Sequence, residues 1–430
     1  MGLARMDHGG PRAAARAYGN PPSRASGTCI LCRGTKMLCG KRRCPVLVRF
    51  YSAQATDDLR DRTELRGSSP PAVFIGRHGY PKVMVGPLIP PVVGDTSLLD
   101  VPERWYGRSM EEIVGFRSSL VRGMHPVNVT DVESRDRIVS LTRELALSAG
   151  PSDVDAAFTR PPRGRLALDD EVQPHGPSAP LRGIAIDELR MDDRIERAFY
   201  DTDLCAREAA VGLYRSGRYV SQIQKALSVG ALGIGKRRRF VPTRWSITAV
   251  DSMLGEDIME RTKQRPTIDE YRIYESHHLD NRWAVLFMPS EWCYELIEAW
   301  YPDTAWNPFG KGIAIFSDYE FHAGRSDYAK IGGCYYAARL AANEKLESER
   351  RQAGVVIFRE AHPGYIMPVG VWNVRENVRA ALRTEPHRCQ TLKEALDRVG
   401  SIMDIPLGRW IKCSGILKDR LYQKRLEEWA

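Results

Sequence analysis

Four cysteines crowd together near the start of the chain: Cys29, Cys32, Cys39 and Cys44, spaced C-x2-C-x6-C-x4-C. Two thiolate pairs at such spacing can close a tetrahedron around Zn2+, because the short x2 knuckle turns both sulfurs toward one point. Gly34 and Gly40 supply the turns and Pro45 ends the unit. Lys36, Lys41, Arg42 and Arg43 favour the thiolate form and offset its charge. Four thiolates leave no open coordination position, so the metal would be structural, and a segment this poor in large apolar residues would fold only with it. An iron–sulfur cluster, or four unconnected thiols, is the alternative. The basic side chains also suit this unit to touching phosphates.

A second candidate is Gly230-Ala-Leu-Gly-Ile-Gly-Lys236, which fits the first seven positions of a phosphate loop. Arg237 stands where Ser or Thr must ligate magnesium, and Pro242 limits the helix that should follow, so an ATPase is excluded. The same stretch continues as Lys236, Arg237, Arg238 and Arg239, with Arg244 and Trp245 just beyond. Flexible glycines beside clustered cations and aromatics suit a groove that tracks a nucleic-acid backbone. A solvated basic loop is the plainer reading.

Two acid and histidine groups could serve catalysis. On a strand, Asp318, Glu320 and His322 alternate onto one face, a mixed oxygen and nitrogen set that could hold Mg2+, Mn2+ or Zn2+ for phosphodiester hydrolysis. Glu275 and His277 offer a second carboxylate and imidazole at i and i+2. Neither has the spacing of a named nuclease motif, and an ordinary polar strand face explains both. Arg77-His78-Gly79-Tyr80 reads as a turn with phosphate-binding potential.

At the C-terminus, Gln423, Leu426 and Trp429 recur every third residue, so one helical turn places all three on one side. The arrangement resembles the peptide that docks on the sliding clamp, PCNA, except that Ala430 stands where a second aromatic belongs. An amphipathic helix packed on its own domain, through Ile416, Leu417 and Leu421 as well, competes with that reading.

Composition bounds the rest. A chain of 430 residues, 43% hydrophobic, can bury a full core. No apolar run reaches the roughly 18 residues of a membrane span, and the N-terminus lacks a secretory h-region, so a soluble cytoplasmic protein without membrane partners is expected. The net charge of +9 is local: ten Lys or Arg face one acid, Asp7, within residues 1–50, and the remainder is neutral. The other five of the nine cysteines are scattered singly, unlike a disulfide framework.

These groups must be positioned by a mixed body. Residues 1–27 read as a disordered basic arm, 28–50 as the zinc unit, 51–71 as a linker, 72–415 as the body and 416–430 as the C-terminal peptide. Strands are expected over 73–85 in two pieces, 245–250, 282–288, 313–316 and 355–358. Helices are expected over 109–122, 131–149, 203–213, 219–227, 290–300, 334–351 and 374–382, and a long surface loop over 150–181. The order lacks a regular βαβ repeat, so the fold class is α+β.

Taken together, the cysteine unit, Phe74-Ile-Gly-Arg-His-Gly-Tyr-Pro-Lys-Val83, Gly86-Pro-Leu88, Val241-Pro-Thr-Arg-Trp-Ser-Ile-Thr248 and the clamp-like tail resemble the archaeal Nre family of DNA repair proteins, from Cys29 to Ala430. The resemblance implies DNA as a partner, recruitment through PCNA by Gln423, Leu426 and Trp429, and zinc on the four cysteines. It supplies no catalytic residue. The residues leave three functions open: a DNA-binding repair factor with metal-dependent nuclease activity, a noncatalytic adaptor between DNA and the clamp, and a nucleotide-modifying enzyme using a dinucleotide such as NAD. The last would use Arg244, Ser246 and Thr248 alternating on one strand face.

Overall fold

The computed structural model describes residues 44–45, 59, 61–164, 172–304, 306–307 and 310–422. Cys29, Cys32, Cys39, Lys41, Arg42, Arg43, Gln423, Leu426 and Trp429 lie outside them. The fold is α+β, built on two six-stranded mixed sheets.

The first sheet comprises β1 (Glu64–Ser69), β2 (Val73–Ile75), β3 (Lys82–Ile89), β4 (Val121–Asn128), β5 (Ser152–Phe158) and β6 (Ser178–Ile186) in the order β1-β5-β6-β4-β3-β2. Helices α1 (Met110–Ser118) and α2 (Arg137–Ala146) interrupt it. Its β2–β3 hairpin is the expected one. β1 lies before residue 72, so the body begins earlier than composition suggested. The span 150–181 holds β5 and the start of β6, because Val154, Ala156 and Phe158 alternate inward among polar residues too short to advertise a strand.

A helical layer follows: α3 (Asp193–Tyr200), α4 (Ala206–Arg215), α5 (Val220–Ser228) and α6 (Thr243–Thr262). The expected strand at 245–250 is the start of α6. Arg244, Ser246 and Thr248 therefore do not alternate on one strand face, and Ser246 and Thr248 are buried.

The second sheet joins β7 (Tyr271–His278), β8 (Asn281–Met288), β9 (Cys293–Trp300), β10 (Ala314–Glu320), β11 (Gly354–Ala361) and β12 (His387–Cys389) in the order β10-β9-β11-β8-β7-β12. Helices α7 (Gly333–Glu349) and α8 (Trp372–Leu382) cover one face; α9 (Leu392–Ile402), α10 (Leu407–Cys413) and α11 (Gly415–Tyr422) cover the other. In β8, Trp283, Val285 and Phe287 enter the first of these cores, while Ala284, Leu286 and Met288 enter the second. Burial on both faces explains the uninterrupted apolar run.

The helix expected over 290–300 is instead β9. Its two carboxylates are both inside: Glu298 pairs with Arg359 at 2.6 Å, directly opposite on the parallel strand β11. Glu295 accepts from the backbone N–H groups of Gly415 and Ile416 and from the Ser414 hydroxyl, fixing the start of α11. Ile416 and Leu417 are fully buried there, so the first turn of α11 is packed on the body, while Leu421 and Tyr422 at its end are exposed. Among the described residues, no helix is long and apolar enough to cross a membrane.

Candidate nucleic-acid interface

The turn between β2 and β3 presents Arg77, His78 and Tyr80 to solvent, with Gly79 at φ +82° where a side chain would be strained. The N-terminus of α6 meets this turn. The backbone N–H of Ile75 donates to Thr243 Oγ1 at 2.9 Å, and the Tyr80 and Trp245 rings lie 5.2 Å apart, tilted by 56°. Both rings stay about half exposed, at 49% and 45%. Large aromatics held this open can offer their faces to a planar ligand.

Beside them, Arg122 of β4 lies over the Phe74 ring at 4.1 Å, and the His175 ring lies 5.0 Å from Phe74, tilted by 59°. Burial pushes the guanidinium down to about 10. Its one hydrogen bond is to the Met84 carbonyl at 3.4 Å, and Nε has no partner among the described residues. A desolvated cation without a carboxylate suits an anionic ligand such as a phosphate. Beneath Phe74, Asp100 accepts from Arg117 and from Lys225 Nζ, the latter at 2.9 Å. The cavity there is about 30 Å³, close to the share of one water.

Of the basic run, Lys236, Arg237 and Arg239 are exposed. Arg238 turns inward and donates to the carbonyls of Gly233, Phe199 and Asp201 at 2.7, 2.6 and 2.8 Å, so it is a structural tie to the end of α3. Phe240 N–H donates to the Val129 carbonyl, and Val129 N–H to that of Pro81, which brings the run alongside the exposed turn. Arg244 is half-buried.

Three sequence segments thus converge: the turn at 74–82, the run at 236–240 and the start of α6. The turn and the start of α6 are among the segments on which the family resemblance rested. The family pattern described as archaeal Nre, N-terminal, matches residues 38–307, and that described as archaeal Nre, C-terminal, matches 320–429. The chain belongs to the archaeal Nre family. It is 41% identical to DNA repair protein NreB of Archaeoglobus fulgidus, over 91% of this chain and 97% of the relative. It is 36% identical to DNA repair protein NreA of the same organism, over 86% and 92%, and 34% identical to DNA repair protein NreA of Haloferax volcanii, over 80% and 84%. No solved structure matches the chain.

In this Nre chain the acid and histidine candidates are dispersed. Asp318 and Glu320 do share a face of β10, but each is answered: Asp318 by Arg325 at 3.1 Å and the Lys330 amide at 2.6 Å, Glu320 by Arg339 at 2.8 Å and the Tyr335 hydroxyl at 3.0 Å. The strand ends at Glu320, so alternation does not reach His322, which is exposed. Glu275 pairs with Arg398 at 2.8 Å, with His277 on the same exposed face of β7. Cys44, the cysteine of the four that is described, is half-buried and in no disulfide.

Sequence reasoning missed Arg122, Phe74, and a group formed by Glu360, His362 and Asp404. Glu360-Ala-His362, directly after an apolar strand, is a visible E-x-H signal. Nothing in the sequence joins Asp404 to it.

Proposed function

We propose that this protein is a DNA repair factor that binds DNA through the Tyr80 and Trp245 face and is brought to its substrate by PCNA through Gln423, Leu426 and Trp429. The tilted, half-exposed Tyr80 and Trp245 pair beside Arg77, His78 and Arg122 carries the reading. Relatives spanning nearly the whole chain and bearing the name DNA repair protein support it. A structural Zn2+ on Cys29, Cys32, Cys39 and Cys44 organises the basic N-terminal part, whose Lys41, Arg42 and Arg43 add phosphate contacts.

The ion pairs argue against strand cleavage at Asp318, Glu320 and His322, since a Mg2+ or Mn2+ ion there would have to displace two guanidinium groups from their carboxylates. Divalent-metal nicking assays on branched DNA, with Asp318→Ala and His322→Ala alongside, distinguish an adaptor from a nuclease.

The direct test is anisotropy titration of single-stranded and forked DNA against the full chain. Stacking contributes about 1–3 kcal/mol per base, so Tyr80→Ala with Trp245→Ala should weaken binding roughly 5- to 150-fold at unchanged salt slope. Arg122→Met should instead lower the slope by about one phosphate's worth, near 0.7 for single strands. Unaltered affinity in both variants removes this face from the function.

A further inference from the structure

We propose that Glu360, His362 and Asp404 form a binding site for a divalent transition-metal ion, separate from the DNA-binding face. Glu360 lies near the end of β11 and His362 just past it, while Asp404 comes from the turn between α9 and α10. His362 Nε2 stands 3.1 Å from Glu360 Oε2 and 3.8 Å from Asp404 Oδ2. One ligand atom from each of the three falls within 4.8 Å of the others. Donors spaced in this way can all sit about 2.0–2.4 Å from one ion, the range for imidazole and carboxylate ligands of Zn2+ and Mn2+.

Charge argues for the cation independently of spacing. Three other buried carboxylates in this half of the molecule meet a guanidinium, Glu298 with Arg359, Glu320 with Arg339 and Asp251 with Arg375, whereas Glu295 is answered by two amides and the Ser414 hydroxyl. Glu360 is fully buried and, among the described residues, has no Arg or Lys partner; its contacts are the amides of Asp404 and Ile405 and the His362 ring. A buried carboxylate otherwise left to two amides and an imidazole is stabilised by an ion at that spot.

The surroundings hold the ligands still. The Tyr301 ring stacks on His362 at 4.4 Å, and Arg282 binds Asp404 Oδ1 at 2.5 Å, leaving Oδ2 turned toward the imidazole. Asp404 is about half exposed, so the remaining coordination positions open to solvent. One imidazole and two carboxylates suit Mn2+ or Zn2+, whereas the four cysteines near the N-terminus select a softer ion and take up little Mn2+.

Mn2+ titration of the full chain, followed by the EPR signal of the free ion, separates the two sites. The wild type is expected to take up one Mn2+, and His362→Gln and Asp404→Asn to bind it at least about tenfold more weakly. Both metal-free variants should keep the far-UV circular dichroism of the wild type and a single cooperative unfolding transition. Glu360 also holds the 404–405 turn, so the more exposed His362 and Asp404 carry the test. The absence of a saturable Mn2+ site below about 1 mM in the wild type, or equal binding by both variants, overturns the assignment.

Discussion

The amide of Ile75 and the hydroxyl of Thr243 meet at 2.9 Å across 168 positions of sequence, and this bond fastens the exposed turn of the first sheet to the start of α6. It sets the distance at which Tyr80 and Trp245 stand. Thr243→Val keeps the side-chain shape but removes the acceptor, stranding the Ile75 N–H. The expected cost is about 1–3 kcal/mol in urea unfolding, with weaker DNA binding, while Thr243→Ser preserves both. Equal behaviour of the Val and Ser variants would show that the bond positions nothing.

How far this arrangement was legible in the sequence depends on what each residue answers to. Runs such as Val355 to Phe358 declare a strand because both of its faces meet apolar cores. β9 does not, since Glu295, Leu296, Glu298 and Ala299 are helix-favouring types whose carboxylates are satisfied only by Arg359 and by the start of α11, which lie 61 or more positions away. α6 was hidden for a related reason. It is buried on several sides, and its inward positions include Ser246, Thr248 and Asp251, so no apolar stripe repeats at helical spacing. The site follows the same logic. Arg77, His78 and the basic run could be singled out by type, but their convergence on Trp245, and the placement of Arg122 over Phe74 with its Nε unpaired among the described residues, exist only once the sheet has formed.

Close backbone contact gives glycines opposite fates. A Cβ on Gly86 of β3 would collide with the Gly123 carbonyl of β4, so Gly86→Ala should destabilise by about 3 kcal/mol, the upper end for overpacking, by forcing the strands apart. Gly115 lies inside α1 with nothing near its missing side chain. There, Gly115→Ala should stabilise by about 0.5–1 kcal/mol. Chemical denaturation of the two variants in parallel checks the opposite signs.

Burial, outweighing the nearby Arg375, pushes Asp251 up to about 6. Arg375 Nη1 donates to both Asp251 oxygens, at 2.8 and 3.0 Å, and both side chains are almost wholly enclosed. Arg375→Met leaves the carboxylate uncompensated and should cost about 3–5 kcal/mol near neutral pH. A carboxyl whose folded-state value is raised contributes stability below its unfolded value, and that contribution is lost as pH rises through the folded one. The deficit of Arg375→Met relative to wild type should therefore shrink as pH is lowered from about 7.5 toward 5. A deficit independent of pH would mean that Asp251 is not the group left exposed to the loss.

The C-terminal segment divides at the end of α11. Ile416 and Leu417 are wholly buried against the second sheet, in the core that holds Trp410 and Phe358, and the carboxylate of Glu295 accepts the first amides of the helix. Removing a buried aliphatic side chain costs about 2–5 kcal/mol, so Ile416→Ala or Leu417→Ala should lower the unfolding midpoint markedly. Leu426 and Trp429 follow this anchored turn, and their proposed work is done on another protein. Leu426→Ala with Trp429→Ala should leave the midpoint where it is and abolish binding of the full chain to PCNA in a pull-down or calorimetric titration. A fall in midpoint like that of Leu417→Ala would make these two residues part of the body, and clamp binding that survives the double change would place recruitment elsewhere on the chain.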